Sequence, residues 1–328
     1  MKYITNSYKL NINNIGTNSI FFDIETTGLS REKAFIYLIG VGVYSEDTYT
    51  IHQWFAESKD DEEAILDNFL SFIEPFDTII HFNGNSFDIP FVNHRASLYN
   101  LDNIPSTIKS VDLYKNITPY KNILGLNNLQ QKTIETFLGI NRDDIYDGGK
   151  LISIYKSYIK HPTEDALDLL LLHNHDDMLG LARLLVMDNY VRLFSGQVDI
   201  KINNSYLNSY KNSDNETCEE LIYEMTTDIN IPKKISYGND DCYIIVKDNT
   251  IVLKVNLFDG KLRYFYDNYK DYYYLPAEDM ALHKSVATYV DRSYRQPATA
   301  DNCYGKINYS DEILANIDYV RNVIGHIK

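Results

Sequence analysis

Residues 19–30, SIFFDIETTGLS, decide the fold of this chain. Their apolar start predicts a buried β-strand, and the Thr-Thr-Gly that follows predicts the turn that ends it. Because side chains alternate along a strand, Asp23 and Glu25 would share one face about 7 Å apart. Two carboxylates on a buried face stay ionised only beside a cation, and Mg²⁺ or Mn²⁺ is the natural candidate. The alternative is a strand end at which both acids reach solvent.

A further acid follows in HFNGNSFDIP, residues 81–90, where a short apolar strand leads through a loop into a helix. Ligand sites lie at strand ends, so we expect Asp88 at the same sheet edge as Asp23 and Glu25. Taken alone, Asp88 is equally typical of an acid in the first turn of a helix, stabilised by the helix dipole.

The last acid lies in HNHDDML, residues 173–179, inside a long apolar helix. His173 and Asp177 are four residues apart and therefore share one face of that helix. His175 and Asp176 fall on other faces and are expected at the surface. The plainer interpretation of this motif is the polar edge of a helix.

Four acids thus occur in chain order on a strand, a loop and a late helix: Asp23, Glu25, Asp88 and Asp177. If the helix packs against the strand, they form one pocket, which cannot stay ionised without cations and so predicts two divalent ions. Two ions about 4 Å apart suit in-line displacement at phosphorus, one beside the attacking water and one beside the leaving oxygen.

The order of the surrounding segments resembles an α/β, ribonuclease H-like mixed five-stranded sheet flanked by helices. Residues 1–17 are interpreted as a polar lead-in, and residues 126–194 are predicted to be helical. The other predicted segments are strands at 18–25, 34–44, 47–55, 78–82 and 108–113, and helices at 58–73 and 89–99.

A smaller α+β C-terminal unit is predicted after an Asn- and Ser-rich linker at 203–216, which divides the chain into domains 1–200 and 201–328. Its predicted segments are helices at 219–228, 277–291 and 311–327, strands within 234–274, and turns at Asp248-Asn249 and Asp259-Gly260. Lysine, arginine and tyrosine alternate in this unit, which is typical either of a surface for single-stranded nucleic acid or of a Tyr-rich sheet packed on a helix.

Composition restricts the class of protein further. The 328 residues are 44% hydrophobic, yet no apolar run of about 18 residues occurs, so no membrane span is expected. The N-terminus lacks the apolar core of a signal peptide, and the three cysteines form no metal motif, which favours a reduced, cytoplasmic location. The net charge of −15 argues against strong non-specific binding of nucleic acid, but not against an enzyme whose acids hold metal.

The sequence resembles the DEDD exonuclease superfamily. Within it, the residues in and around the motifs are similar to those of the YprB-like, ribonuclease H-like branch. The resemblance covers residues 1–195 in order and rests on FFDIETTGL, HFNGNSFDIPFV, VDLY, NNLQQKTIETFLGINRDDI and LLHNHDDMLGLARLL. It implies that Asp23, Glu25 and Asp177 hold the ion that activates water. Asp23 and Asp88 would share the second ion with the phosphate.

The resemblance also implies roles beyond the four acids. His173 stands at the family's fifth position, which orients or deprotonates the water, although its spacing is that of the tyrosine subclass and a simple hydrogen-bonding role stays open. Relatives contact the terminal nucleotide at the positions of Thr26, Gly28 and Leu29. Phe87 is a candidate for stacking on a base. Each of these last four residues is also typical of packing.

The function indicated is a metal-dependent 3′→5′ exonuclease that acts on DNA or RNA. It would release nucleoside monophosphates. The 3′→5′ direction and this product are implied by the resemblance alone. Two alternatives remain at this stage: a non-catalytic module that binds nucleic acid or protein on the same fold, and an endonuclease of the ribonuclease H type.

Overall fold

A computed structural model describes residues 1–12, 15–16, 18–142 and 148–327. Residues 143–147, which carry part of the resemblance, lie outside the described residues. Contacts group the chain into two compact units, Met1–Lys121 with Leu126–Asp188, and Asn122–Gly125 with Asn189–Lys328. No helix in the described ranges is both long enough and apolar enough to cross a membrane.

The first part of the chain contains the following elements in order: β1 (Lys2–Lys9), β2 (Ser19–Thr26), β3 (Ile36–Ser45), β4 (Thr48–Phe55), α1 (Glu62–Ile73), β5 (Thr78–His81), α2 (Asp88–Leu98), β6 (Lys109–Asp112), α3 (Leu113–Ile117), α4 (Gln131–Leu138), α5 (Gly148–Tyr158), α6 (Glu164–Arg183) and α7 (Met187–Phe194).

Strands β1 to β6 form one mixed sheet in the order β1-β4-β3-β2-β5-β6, flanked by helices, which confirms the predicted α/β class. The sheet has six strands rather than five, because residues interpreted as a lead-in contain β1. This strand is exposed at nearly every position and pairs through its backbone with β4. A polar edge strand carries no hydrophobic periodicity, so the sequence pattern gives no sign of it.

The core of the first unit lies between this sheet and its helices. The apolar stripe expected on α1 is fully buried at Ile65, Leu66, Phe69 and Ile73. Burying each such side chain stabilises the fold by about 1.5–3 kcal/mol. Since β2, β5 and β6 run parallel, their carboxyl ends meet at one edge of the sheet. That edge carries the acids singled out in the sequence.

The second unit contains three small sheets, in the orders β7-β8-β9, β10-β14 and β12-β11-β13. The elements are β7 (Ile200–Lys211), β8 (Thr217–Gly238), β9 (Cys242–Asn256), β10 (Lys261–Phe265), β11 (Tyr272–Leu275), β12 (Met280–His283), α8 (Lys284–Ala287), β13 (Gln296–Pro297), β14 (Tyr304–Asn308) and α9 (Ile317–His326).

Several sequence predictions for this unit are wrong. Most of the predicted linker at 203–216 lies in β7, and the predicted helix at 219–228 lies inside the long strand β8. Pairing with both β7 and β9 outweighs the local helical preference of these residues. The helix expected at 277–291 is instead β12 followed by the short α8. The turn at Asp259-Gly260 is present, whereas Asp248-Asn249 lies within β9.

Two cations of this unit, Lys254 and Arg263, are neutralised by acids. Lys254 pairs with Glu220 at 3.1 Å. The guanidinium of Arg263 pairs with Asp241 at 2.6 Å and with Asp279 at 3.1 Å. These pairs favour the tightly packed, Tyr-rich sheet over a free cationic surface at these positions.

Candidate functional site

Two carboxylates project from the end of β2, the strand between β3 and β5. Asp23 and Glu25 are partly buried and alternate with the buried Ile24, as expected for one face of a strand. Burial raises the pKa of Asp23 well above its usual range, and the charges of Asp177, Asp88 and Glu25 raise it further. The four acids therefore lie close enough to act on one another.

Helix α6 brings His173 and Asp177 to this strand. The imidazole Nε2 of His173 lies 3.5 Å from Oε1 of Glu25 and 3.2 Å from Oδ2 of Asp177. One ligand atom from each of Glu25, His173 and Asp177 lies within 4.8 Å of the other two. The expected face of α6 is thus turned toward β2. Asp176, expected at the surface, is buried with 7% of its surface exposed.

Asp88 reaches the site from the first turn of α2. The backbone N–H of Ile24 donates a hydrogen bond of 3.3 Å to its Oδ1, which ties the carboxylate to β2 between Asp23 and Glu25. Burial raises the pKa of Asp88 to about 7, and the charges of Asp112 and Asp177 act in the same direction. Withdrawal from solvent thus makes this carboxylate dependent on a nearby positive charge.

The loop before α2 is held by two residues, Asp112 and His81, that were not predicted to belong to the site. Asp112 accepts hydrogen bonds from the backbone N–H groups of Asn83 and Asn85. Fully buried His81 accepts from Gly84 N–H at Nδ1, so its Nε2 carries the proton and donates to Ser110 Oγ at 2.7 Å. These bonds fix the position from which Asp88 enters the site. Asp112 lies in the VDLY segment. An acid at the end of a buried strand was the sequence feature that could have identified it as part of the site.

A partly buried arginine that the sequence did not predict bonds to Asp177. Nη1 of Arg142 lies 2.5 Å from Oδ1 of Asp177, and its Nε and Nη2 bond to Glu135 of α4. Glu135 is 1% exposed and packs against Gly180 of α6, where a Cβ would lie 1.8 Å from Oε1 of Glu135. The sequence feature that could have pointed to this arginine is Glu135, an acid on the buried face of a short helix, which needs a cation as its partner. These contacts lock the rotamer of Asp177.

Asp23 has a comparable support. Nδ2 of Asn174 donates to Oδ2 of Asp23 at 2.9 Å, and Oδ1 of Asn174 accepts from Nε2 of Gln53 at 3.0 Å. Asn174 is fully buried and lies over Gly40 of β3, where a Cβ would come within 2.3 Å of Oδ1. A glycine in the middle of a buried strand marks this close approach.

The predicted substrate residues are distributed around two cavities. Phe87 lines a cavity of about 470 Å³ together with Asp23 and Asp88. Gly28 and Leu29 line a second cavity of about 550 Å³, and Leu29 is 85% exposed. Thr26 is buried, lines neither cavity, and donates its hydroxyl to the carbonyl of Gly28. Its side chain therefore shapes the turn after β2.

The donor set suits a hard divalent cation. Carboxylate oxygens are the ligands that Mg²⁺ and Mn²⁺ prefer. Glu25 and Asp177 group closely with His173, and Asp23 and Asp88 lie near enough for the charges of the acids to act on them. Two of these acids, Asp23 and Asp88, have raised pKa values that a cation would bring down. Asp23, Glu25, Asp88 and Asp177 are the residues that would hold such ions.

A family model described as the RNase_H superfamily matches residues 20–188. These residues span β2 to the start of α7 and include every acid of the site. No curated protein matches the chain.

Two solved structures are similar to parts of this chain. The family B DNA polymerase from the hyperthermophilic archaeon Pyrobaculum calidifontis is 20% identical, with a TM-score of 0.40, over 53% of this chain and 25% of the polymerase. The E. coli exonuclease I in complex with a dT13 oligonucleotide is 14% identical, with a TM-score of 0.33, over 63% of this chain and 54% of the exonuclease. The chain thus spans about a quarter of the one and about half of the other.

Proposed function

Because the chain belongs to the RNase H superfamily, we propose that it is a metal-dependent nuclease that removes nucleotides from the 3′ end of DNA or RNA. The observation that carries the proposal is that β2, α2 and α6 bring Glu25, Asp88 and Asp177 to Asp23. A non-catalytic module has no need to keep four mutually repelling acids in a partly buried pocket, where their desolvation destabilises the fold.

The acids have a distinct task in this proposal. Asp23, Glu25, Asp88 and Asp177 would hold two Mg²⁺ or Mn²⁺ ions. Bound divalent ions would supply positive charge for the phosphate and a more acidic water. Arg142 and Asn174 hold the carboxylates of Asp177 and Asp23 in fixed rotamers, so that the pocket is preorganised before substrate arrives.

His173 is suited to handling the proton of the attacking water. Its Nε2 faces the oxygens of both Glu25 and Asp177, and hard cations favour those oxygens over a ring nitrogen. From this position the imidazole would hold or pass a proton as water bonds to phosphorus and the P–O3′ bond breaks. The cavity beside Asp23 and Asp88, walled by Phe82, Phe87 and Tyr114, would receive the terminal base.

The test is a trimming assay on 5′-labelled DNA and RNA oligonucleotides with Mn²⁺ or Mg²⁺. We expect stepwise shortening by the unaltered protein and a loss of at least about a thousandfold in Asp177→Asn. The matched control is Asp168→Asn, an exposed position on the same helix, which should trim normally.

The same assay separates the alternatives. Cleavage of a circular or end-blocked substrate would replace the exonuclease proposal with an endonuclease of the ribonuclease H type. No cleavage of any substrate, or full activity in Asp177→Asn, would leave only a binding role for the fold.

A further inference from the structure

A second cavity follows the acid pair of β2 along the chain, and its lining includes Gly28 and Leu29, two of the candidate contacts for the terminal nucleotide. It measures about 550 Å³ and lies between the turn after β2, the residues leading into α1, and the end of α5. Helix α2 also contributes Arg95, and the lysines of the lining are Lys33, Lys59 and Lys156.

Lys33, Lys59 and Lys156 give this second cavity, the lysine cavity, a positive charge in a chain whose net charge is −15. Lys33, Lys59 and Lys156 are exposed, and none of them forms an ion pair with any residue that the structure describes. Glu32 is the acid of the lining, and its Oε1 lies 3.6 Å from Nε of Arg31, which offsets its charge. Three uncompensated ammonium groups around one concave surface create a local field that favours an anion.

The fourth cation of the lining does not share this role. Nε of Arg95 bonds to Oε1 of Glu62 at 2.8 Å, and Glu62 is fully buried. The phenol of Tyr99 also donates to Glu62, at 2.8 Å. Arg95 therefore neutralises a buried acid and forms the floor of the cavity, while the lysines supply its free charge.

The cavity begins two residues after the acid pair of β2. Glu25 ends the acid pair on β2, and the turn that follows supplies Thr27, Gly28 and Leu29 to the cavity wall. Leu29 is 85% exposed, an unusual environment for a leucine, and Ile159 on the far wall is 39% exposed. A strand whose end lies at Glu25 would thus meet apolar surface for a base and then ammonium groups for its phosphates.

We propose that the lysine cavity binds backbone phosphates of the nucleic-acid strand whose 3′ end occupies the acid site. The proposal rests on the proposed function and adds the path of the strand to it. Lysine suits this task because its flexible ammonium group follows phosphates without requiring one fixed geometry. The proposal also explains how a strongly acidic protein binds a polyanion, because a small basic site lies where the strand leaves the acids.

The experiment measures binding of a fluorescein-labelled single strand of about 12 nucleotides by anisotropy over a range of salt concentrations. All proteins carry Asp177→Asn with Mg²⁺ present, so that the probe stays intact. The test variant is Lys33→Gln with Lys156→Gln. The matched control is Lys9→Gln with Lys109→Gln, which removes the same charge from exposed, unpaired positions where β1 ends and β6 begins.

We expect the test variant to bind about tenfold more weakly and its salt slope to fall by about 1.4, since each phosphate contact on a single strand contributes about 0.7. The control should change neither value appreciably. Equal losses in both variants, or no binding by the parent protein, overturn the lysine cavity as a phosphate site. A failed trimming assay with this binding pattern intact would instead count against the catalytic proposal alone.

Discussion

Asn174 donates a hydrogen bond of 2.9 Å from its Nδ2 to Oδ2 of Asp23, although 151 residues separate the two in sequence. The bond joins the middle of α6 to the end of β2 and fixes the carboxylate around which the other acids gather. Gln53 of β4 orients the same asparagine by donating to its Oδ1 at 3.0 Å. The orientation of Asp23 therefore depends on three elements that meet only in the folded chain.

Replacing Asn174 by leucine keeps its approximate volume and removes the donor to Asp23. Because residues that orient metal-binding carboxylates affect the site through them, we expect Mn²⁺-dependent trimming to fall about 10- to 100-fold. Isothermal titration with Mn²⁺ should show weaker binding in parallel. Unchanged Mn²⁺ affinity would show that Asp23 needs no support from Asn174.

Gly40→Ala should destabilise the first unit by about 1–3 kcal/mol, since its Cβ would overlap the buried amide of Asn174 at 2.3 Å. The stability control is Gly28→Ala, whose Cβ would meet Ala34 at an ordinary 3.5 Å. Urea unfolding measures both. A Gly40→Ala protein as stable as Gly28→Ala would mean that Asn174 can move away at little cost.

Arg142→Met should cost about 3 kcal/mol in the free energy of unfolding, because it leaves the buried carboxylate of Glu135 without its cation. Adding Glu135→Gln removes that stranded charge, so the double variant should be more stable than Arg142→Met alone. A double-mutant cycle from urea unfolding measures the coupling. Additive single effects would show that the two side chains do not act as a pair.

Divalent cations should raise the thermal stability of the unaltered protein. A ligand that binds only the native state stabilises it by about 2.7 kcal/mol at a hundredfold excess over Kd. Scanning calorimetry with Mn²⁺ should therefore show a higher Tm for the unaltered protein and Asp168→Asn, but a smaller shift for Asp23→Asn. The same shift in all three proteins would place the bound ion outside the acid site.

In the second unit, Asp279 accepts hydrogen bonds from the phenols of Tyr274 and Tyr304 and pairs with Arg263 and Lys306. Although partial burial opposes it, this bonding holds the pKa of Asp279 well below its usual range. A carboxyl with a depressed folded pKa adds stability above its unfolded pKa, about 3.9, and loses it as the pH falls further. Asp279→Asn should therefore lower Tm at pH 7, and the difference should shrink below about pH 4. A constant difference across this range would contradict the ionic role.

The elements predicted well from sequence are those whose side chains alone decide them. The hydrophobic run of β2 and the buried stripe of α1 exclude other structures, because exposing them to water is costly. The strand β1 and the segment 219–228 were mispredicted for the opposite reason. Their structure comes from backbone pairing with neighbouring strands, which leaves little trace in local periodicity.

By itself the sequence determined which acids are available, their order, and the alternation that puts Asp23 beside Glu25 on one face. Tertiary structure alone decided that Asn174 and Arg142 hold those acids, and that three distant lysines surround one cavity. The physical reason is range. Alternation and helical periodicity act between residues a few positions apart, whereas hydrogen bonds and charge clusters depend on distances that exist only after the sheet and α6 have packed.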